Sequence, residues 1–379
     1  MGGYIMSKKI GLITFHNSYN CGSMMQTYAL QFYINNFMDD LSCEVIDFSN
    51  EGQQTLYSVL PPNNNIKNFI KRLILMPHRT RIACNFESYE AFKDNFFPLS
   101  KDKFSRMEEL NDNNYDIVIT GSDQVWNITI EDGDDAYFLP WVKKARKVAY
   151  APSFGSRSIQ KNASNVKKYR DYLNDFDFLS IRENNGQKWI KELIDKTVPV
   201  LIDPTLLLNK ECYDKIASED LKLPLKYIFY YSPGYSRDIN KLVQKISDKY
   251  SLPVIAFNSK TYYVKGMNYT KFKLPEIENP STYLQLIKNA ELIITTSFHG
   301  TIFSSIYGKK FWTIKNGGMY GEDDRVLTLM NKLDLEDRLI PIEFNKEFDY
   351  LKDKDYSYYS KLLIKEQEKA IDYLNCALY

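Results

Sequence analysis

The stretch Glu291–Ile314, ELIITTSFHGTIFSSIYGKKFWTI, limits the folds open to this chain more than any other. Leu292 to Thr296 are apolar or β-branched without period-two alternation. That pattern suits a parallel strand covered on both faces. A tight turn carrying His299 follows, then a short helix over Thr301–Tyr307 that Gly308 stops, then a second strand over Lys310–Ile314. In open parallel sheets, ligands bind beyond the carboxyl ends of the strands, at helix N-termini whose free N–H groups attract anions. Ser297, His299, Gly300 and Thr301 therefore sit where a phosphate or carboxylate would bind. The chain has only three histidines, His16, His78 and His299, and one of them falls here.

The same grammar recurs along the chain. Lys9–Phe15 reads as a strand, HNSYNCGS as a polar turn and Met24–Phe37 as an amphipathic helix. This is the opening unit of a Rossmann-like domain, although without GxGxxG it gives dinucleotide binding little support. Asn17, Asn20 and Gly22 are placed to line a ligand, or the asparagines only to cap the helix. Strands are expected at Glu44–Phe48, Tyr115–Thr120, Lys147–Ala151, Phe178–Ile181 and Val198–Ile202. The last four end in Gly121-Ser122-Asp123-Gln124, Pro152-Ser153-Phe154, Arg182-Glu183 and Asp203-Pro204-Thr205. Small polar and charged residues at successive strand ends suit a ligand crevice. Residues 53–107 read as a helical insertion, with Lys67, Lys71, Arg72, Arg79 and Arg81 on a basic face. Such a face is more often solvated than a site, and contact with a lipid headgroup is the minority reading.

A second half restarts at Lys226–Tyr231, with a helix at Ile239–Tyr250 and a strand at Pro253–Phe257. Ser281–Ala290 reads as a helix capped by Ser281 or Thr282, Val326–Leu333 as another, and Tyr356–Leu378 as a long final helix. The expected architecture is α/β, with two Rossmann-like domains facing across a cleft, over residues 8–215 and 222–379.

At 379 residues there is length for two cores. A net charge of +1 gives no footprint for nucleic acid. No run of apolar residues is long enough for a transmembrane helix, and MGGYIMSKKI lacks the apolar core of a signal peptide. Five cysteines without CxxC fit a reducing cytoplasm, and no metal site is expected. The Asp-x-Asp triplets at 132–134, 175–177 and 353–355 lie away from strand ends and read as solvated carboxylates.

HNSYNCGSMMQTYAL, YDIVITGSDQVWN, VAYAPSFGS, LSIRE, DPTLLL, TTSFHGTIFSSIYGKKF and GEDDRVLTLMNKLDLEDR, in this order, resemble the landmarks of the polysaccharide pyruvyl transferase family over roughly residues 9 to 340. The resemblance implies a fold like that of the two-domain B-type glycosyltransferases. It implies transfer of pyruvate from phosphoenolpyruvate to two hydroxyls of a glycan or lipid-linked sugar, forming a cyclic ketal, with no further cofactor. The family's Arg-Leu-His triplet stands here as Ser297-Phe298-His299. The anion-gripping guanidinium would then come from Arg182 or Arg325, or be replaced by a lysine.

Ketal formation asks for a proton at C3 of the donor, a stabilised oxocarbenium and deprotonated acceptor hydroxyls. His299 is the expected acid and base. Asp123 is a candidate base or sugar-binding carboxylate, and equally a helix cap. Arg182, Ser297, Gly300, Thr301 and Arg325 are expected on the donor, and Asn17, Asn20 and Gln124 on the acceptor. Asp203 reads as a turn or cap residue, Arg182-Glu183 as a candidate simple ion pair, and Trp126 and Trp141 as core. His16 is placed to face the cleft and His78 to lie on the surface. The expected location is the cytoplasm, with a peripheral position at the inner membrane surface if the acceptor is lipid-linked. Competing readings are a nucleotide-sugar glycosyltransferase using Glu322, Asp323 or Asp324 on ribose, and a non-catalytic carbohydrate-binding protein.

Overall fold

In the computed structural model, residues 7–218, 221–315 and 324–379 are described. The expected loop carboxylates Glu322 and Asp323 lie outside them. Two five-stranded parallel sheets organise the chain. The first contains β1 (Lys8–Ile13), β2 (Leu41–Phe48), β3 (Leu99–Phe104), β4 (Ile117–Thr120) and β5 (Arg146–Ala149), in the order β3-β2-β1-β4-β5. The second contains β6 (Ile228–Tyr231), β7 (Val254–Ala256), β8 (Leu292–Thr295), β9 (Phe311–Ile314) and β10 (Leu339–Ile340), in the order β10-β9-β8-β6-β7. β4, β6, β8 and β9 are buried along their whole length, as continuous apolar runs between helical layers require. This is the expected pair of Rossmann-like α/β domains.

Several elements differ from the sequence reading. The inserted segment contributes β3, whose Lys101, Asp102 and Lys103 are exposed. It is a sheet edge, where charges hide the strand signal and discourage further pairing. Phe178–Ile181 and Val198–Ile202 do not form strands. Each continues the parallel run beyond β5 by isolated bridges, Val148 with Phe178 and Ile181 with Val200. Pro199 has no N–H to extend a ladder.

The first helix, α1 (Cys21–Phe37), starts three residues before the expected Met24, because the Asn20 side chain accepts from Gly22 N at 2.9 Å. The helix at Pro280–Asn289 is capped by Asn279, with its amide oxygen 2.7 Å from Thr282 N, not by Ser281 or Thr282. The inserted segment folds as α2 (Glu51–Tyr57), α3 (Ile66–Leu75) and α4 (Arg79–Phe96).

The two sheets present their carboxyl ends to each other. In the first, neighbours change direction of succession between β1 and β4; in the second, between β6 and β8. Such switch points open crevices past the strand ends. A shared core joins the halves, where Tyr213 packs edge-on against Phe303 at 5.0 Å. The final helix, Ser357–Leu378, returns to the first sheet. Its last carbonyls accept from Lys8 Nζ (Leu378 O, 3.0 Å) and Arg146 Nη1 (Ala377 O, 2.8 Å), cations suited to a helix C-terminus.

Candidate functional site

The segments that follow β4, β8 and the isolated bridge of Ile181 with Val200 meet the start of α1 between the sheets. Ser297 N-caps the helix Phe298–Ile306 by accepting from Gly300 N, so the helix begins at Phe298 and not at Thr301. His299 thereby sits in the first turn, 7 % exposed. Its Nε2 lies 3.2 Å from Asp203 Oδ2. The other oxygen of Asp203 caps the following turn, accepting from Thr205 N (3.0 Å) and Thr205 Oγ1 (2.7 Å). Asp203 is thus a turn residue with one oxygen and a partner of His299 with the other. The sequence reading found only the first role.

Arg182 Nη1 donates to the same Oδ2 at 2.6 Å and to Ser122 Oγ at 3.3 Å. Its Nη2 stands 3.6 Å from Asp123 Oδ1, too far for a hydrogen bond, and its guanidinium carbon sits 4.5 Å from the centroid of Phe298. Nε and Nη2 are buried without a hydrogen-bond acceptor among the described residues. Arg182 therefore pairs across the site with Asp203, not with its neighbour Glu183. Glu183 instead accepts from Phe154 N at 2.9 Å, and its Oε2 is buried with no hydrogen-bond partner among the described residues.

The electrostatics follow from this packing. Burial alone would raise the Asp203 carboxyl, but His299 and Arg182 outweigh it and hold the group well below the usual carboxylate range. Burial likewise opposes ionisation of Asp123, while Arg182, His299 and the Ser23 hydroxyl bring it below its ordinary value. For Glu183 burial wins and pushes the carboxyl up to about 7, against the pull of Arg182 and Arg325.

Asp123 is no helix cap. It adopts φ +74° opposite Pro152, with its carboxylate accepting from Ser23 at the start of α1 and from Gln124 N (2.8 Å). Aspartate tolerates this left-handed backbone better than most residues. The fit depends on Gly22, the next residue back in α1. A Cβ there would lie 2.1 Å from His299 Nδ1. Gly300 is equally constrained, since a Cβ would meet Thr295 Oγ1 at 2.2 Å.

Other expected site residues are placed less directly. Thr301 is fully buried, its hydroxyl 3.1 Å from Ser297 O and 2.7 Å from Thr313 Oγ1, so it braces the helix against β9 and is closed to a ligand. Ser297 is occupied as a cap. Arg325 opens the helix Arg325–Leu333, and its charge acts on Asp123 and Glu183. Asn17 accepts from Lys93 Nζ at 2.5 Å. Asn20 caps α1 and borders the large cavity beside the site. The Gln124 amide oxygen accepts from Asn127 at 3.1 Å. His16 does not face the cleft; it is fully buried against Asp47 at 3.0 Å. His78 stacks on Tyr263 at 3.5 Å between ring centroids and does not stand free on the surface. Trp126 and Trp141 are core, their indole N–H groups donating to Tyr137 O and Ala136 O.

Among the described residues no three His, Cys, Asp or Glu side chains gather in a way that would hold a metal. The cavity, about 1100 Å³, runs from Asn20, Cys21 and Tyr231 outward past Tyr19 and Phe86 to Lys67, Lys71 and Lys260. Aromatic walls and amide side chains of this kind suit sugar rings and their hydroxyls.

Comparison with known proteins bears on this arrangement. No curated protein matches the chain. Among solved structures, similarity extends to a putative UDP-N-acetylglucosamine 2-epimerase from Listeria monocytogenes (11 % identity, 98 % of this chain and 91 % of that one, TM-score 0.48). It also extends to the UDP-GlcNAc 2-epimerase of Methanocaldococcus jannaschii (13 %, 95 % and 92 %, 0.44) and to E. coli heptosyltransferase WaaC with ADP (9 %, 94 % and 99 %, 0.40). The family model for polysaccharide pyruvyl transferase matches residues 20–318. That span carries Asp123, Arg182, Asp203 and His299 together, and with most of the chain inside the match, the protein belongs to the polysaccharide pyruvyl transferase family.

Proposed function

We propose that this chain transfers pyruvate from phosphoenolpyruvate to two hydroxyls of a glycan, forming a cyclic ketal. The observation that carries the reading is Arg182. Two of its N–H-bearing nitrogens are buried beside His299 with no hydrogen-bond acceptor among the described residues. A buried guanidinium in that condition has lost its hydration without full replacement, and a carboxylate or phosphate oxygen restores it. In this reading Arg182 takes the place of the arginine missing from Ser297-Phe298-His299, with Arg325 as a second cation.

The chemistry then runs on His299. As the acid, with its ring held by the Asp203 carboxylate, His299 gives a proton to C3 of the donor and leaves an oxocarbenium at C2. An acceptor hydroxyl attacks C2, and His299 or Asp123 takes its proton. Phosphate leaves with the C–O bonding pair, which regenerates an oxocarbenium. The second hydroxyl closes the ketal and its proton is passed to the same bases. Two hydroxyls and one phosphoenolpyruvate give one ketal and one inorganic phosphate. Asp203 orients the ring; it does not touch the reacting atoms.

Calorimetric titration with phosphoenolpyruvate, beside uridine and guanosine nucleotides, tests the reading on wild type, Arg182→Lys and Arg325→Ala. Saturable phosphoenolpyruvate binding that weakens in both variants is expected. Nucleotide binding with no response to phosphoenolpyruvate would overturn it in favour of a nucleotide-sugar glycosyltransferase.

A further inference from the structure

Helix α3 is inside out. At 100° per residue, Ile66, Phe69, Ile70, Leu73 and Ile74 form one continuous stripe, and all five are exposed, Ile66 by 80 % and Leu73 by 56 %. Only Leu75 in this helix is buried. The opposite face turns to the protein: Arg72 Nη1 donates to Pro61 O at 3.2 Å, and Lys67, Asn68 and Lys71 line the cavity. A surface helix of a water-soluble domain carries the reverse pattern, and an exposed apolar stripe of this length marks a contact surface. Met76, 44 % exposed, continues it.

The charge around the stripe says what the contact is. From Glu51 to Glu87 the chain contains no other Asp or Glu, while Lys67, Lys71, Arg72, Arg79 and Arg81 fall in that interval. Although Glu51 and Glu131 border the cavity beyond it, the segment that carries the helix has cations as its only charged side chains, the composition of a helix that lies in the interfacial plane of an anionic bilayer. No described helix is long and apolar enough to cross one. We propose that α3 docks this protein on an anionic phospholipid surface, with Ile66, Phe69, Ile70, Leu73 and Ile74 in the acyl boundary and the lysines at headgroup level. The outer mouth of the cavity, with Lys67, Lys71 and Lys260, then opens onto that surface. Only the corollary that a lipid-linked glycan enters there rests on the reaction proposed above; the docking does not.

Co-sedimentation of the full chain with vesicles tests it, using phosphatidylcholine alone and phosphatidylcholine mixed with phosphatidylglycerol. The expected result is binding to the anionic vesicles that falls at raised salt, and falls at least about tenfold in Ile70→Glu/Leu73→Glu. These two side chains face solvent, so the variant should keep the wild-type melting temperature and phosphoenolpyruvate binding. No sedimentation with anionic vesicles, equal binding to neutral ones, or equal binding by the variant each overturns the proposal. So does a concentration-dependent dimer that the variant abolishes while vesicles are ignored, since a second copy would then cover the face. A chain that binds vesicles but not phosphoenolpyruvate would lose the reaction and keep the docking.

Discussion

His299 and Asp203 are 96 residues apart in the chain and meet at 3.2 Å between the two sheets. Each is fixed by its own local turn, His299 in the first turn of a helix capped by Ser297, Asp203 at a turn it caps itself. The pair therefore couples one domain to the other through a single carboxylate oxygen, which Arg182 also occupies.

Asp203→Asn keeps the capping oxygen and removes the charge. Turnover, followed by phosphate release, should fall by about 10²–10⁴, the range for a mispositioned acid–base group. Leaving Arg182 and His299 without their carboxylate should cost about 3 kcal/mol in urea unfolding. The sign with pH follows from the depressed carboxyl. Its contribution is present above the ordinary value of about 4 and is lost as pH falls from there toward the folded value. Wild type should thus lose more stability than the variant on acidification below pH 4.

Gly22→Ala places a methyl where the His299 ring now lies. The ring has to move, because the contact is with its base and not with a free tip. Overpacking of this kind costs about 1–3 kcal/mol, and a displacement near 1 Å costs about a hundredfold in rate. A loss of kcat much larger than the drop in melting temperature implies is the expected result. Wild-type kinetics would mean that His299 is not held against α1 during turnover.

Arg182→Lys retains a cation and gives up the planar fork. Lysine cannot serve Asp203 and a bound anion at once, so the KM for phosphoenolpyruvate should rise by about tenfold or more. Steady-state kinetics at saturating acceptor would read it. An unchanged KM would assign the donor to Arg325 instead.

Glu183→Gln isolates the buried carboxyl pushed up to about 7. Because the folded value lies above the unfolded value of about 4.5, its favourable contribution is complete below 4.5 and is lost as pH rises through 7. The change is on the order of 3 kcal/mol. Melting temperatures measured from pH 4.5 to pH 8 should decline in wild type relative to the variant. Parallel curves would mean that Glu183 is not held in a desolvated place.

The alternation of strands and helices, and the position of His299 at a strand-to-helix turn, are legible in the chain's local pattern alone. Apolar runs of four or five residues and glycine stops are local signals that local physics is enough to read, whereas the capping residue was not, since Asn279 and not Ser281 or Thr282 opens its helix. The sequence also carried the ordered landmarks by which the family was recognised. Which carboxylate meets His299 depends on how the two sheets pack together. Asp203 and Asp123 both follow strand-like segments with small polar neighbours, and no local pattern says that one closes on a ring 96 residues away while the other takes Ser23. The fate of Thr301 was equally hidden, because a hydroxyl at a helix start serves a ligand or a neighbouring strand with the same sequence around it. The direction of α3 is the clearest case. Its amphipathic period is written in the residues, but which face turns outward depends on what the rest of the chain packs against it, and here that is the basic side.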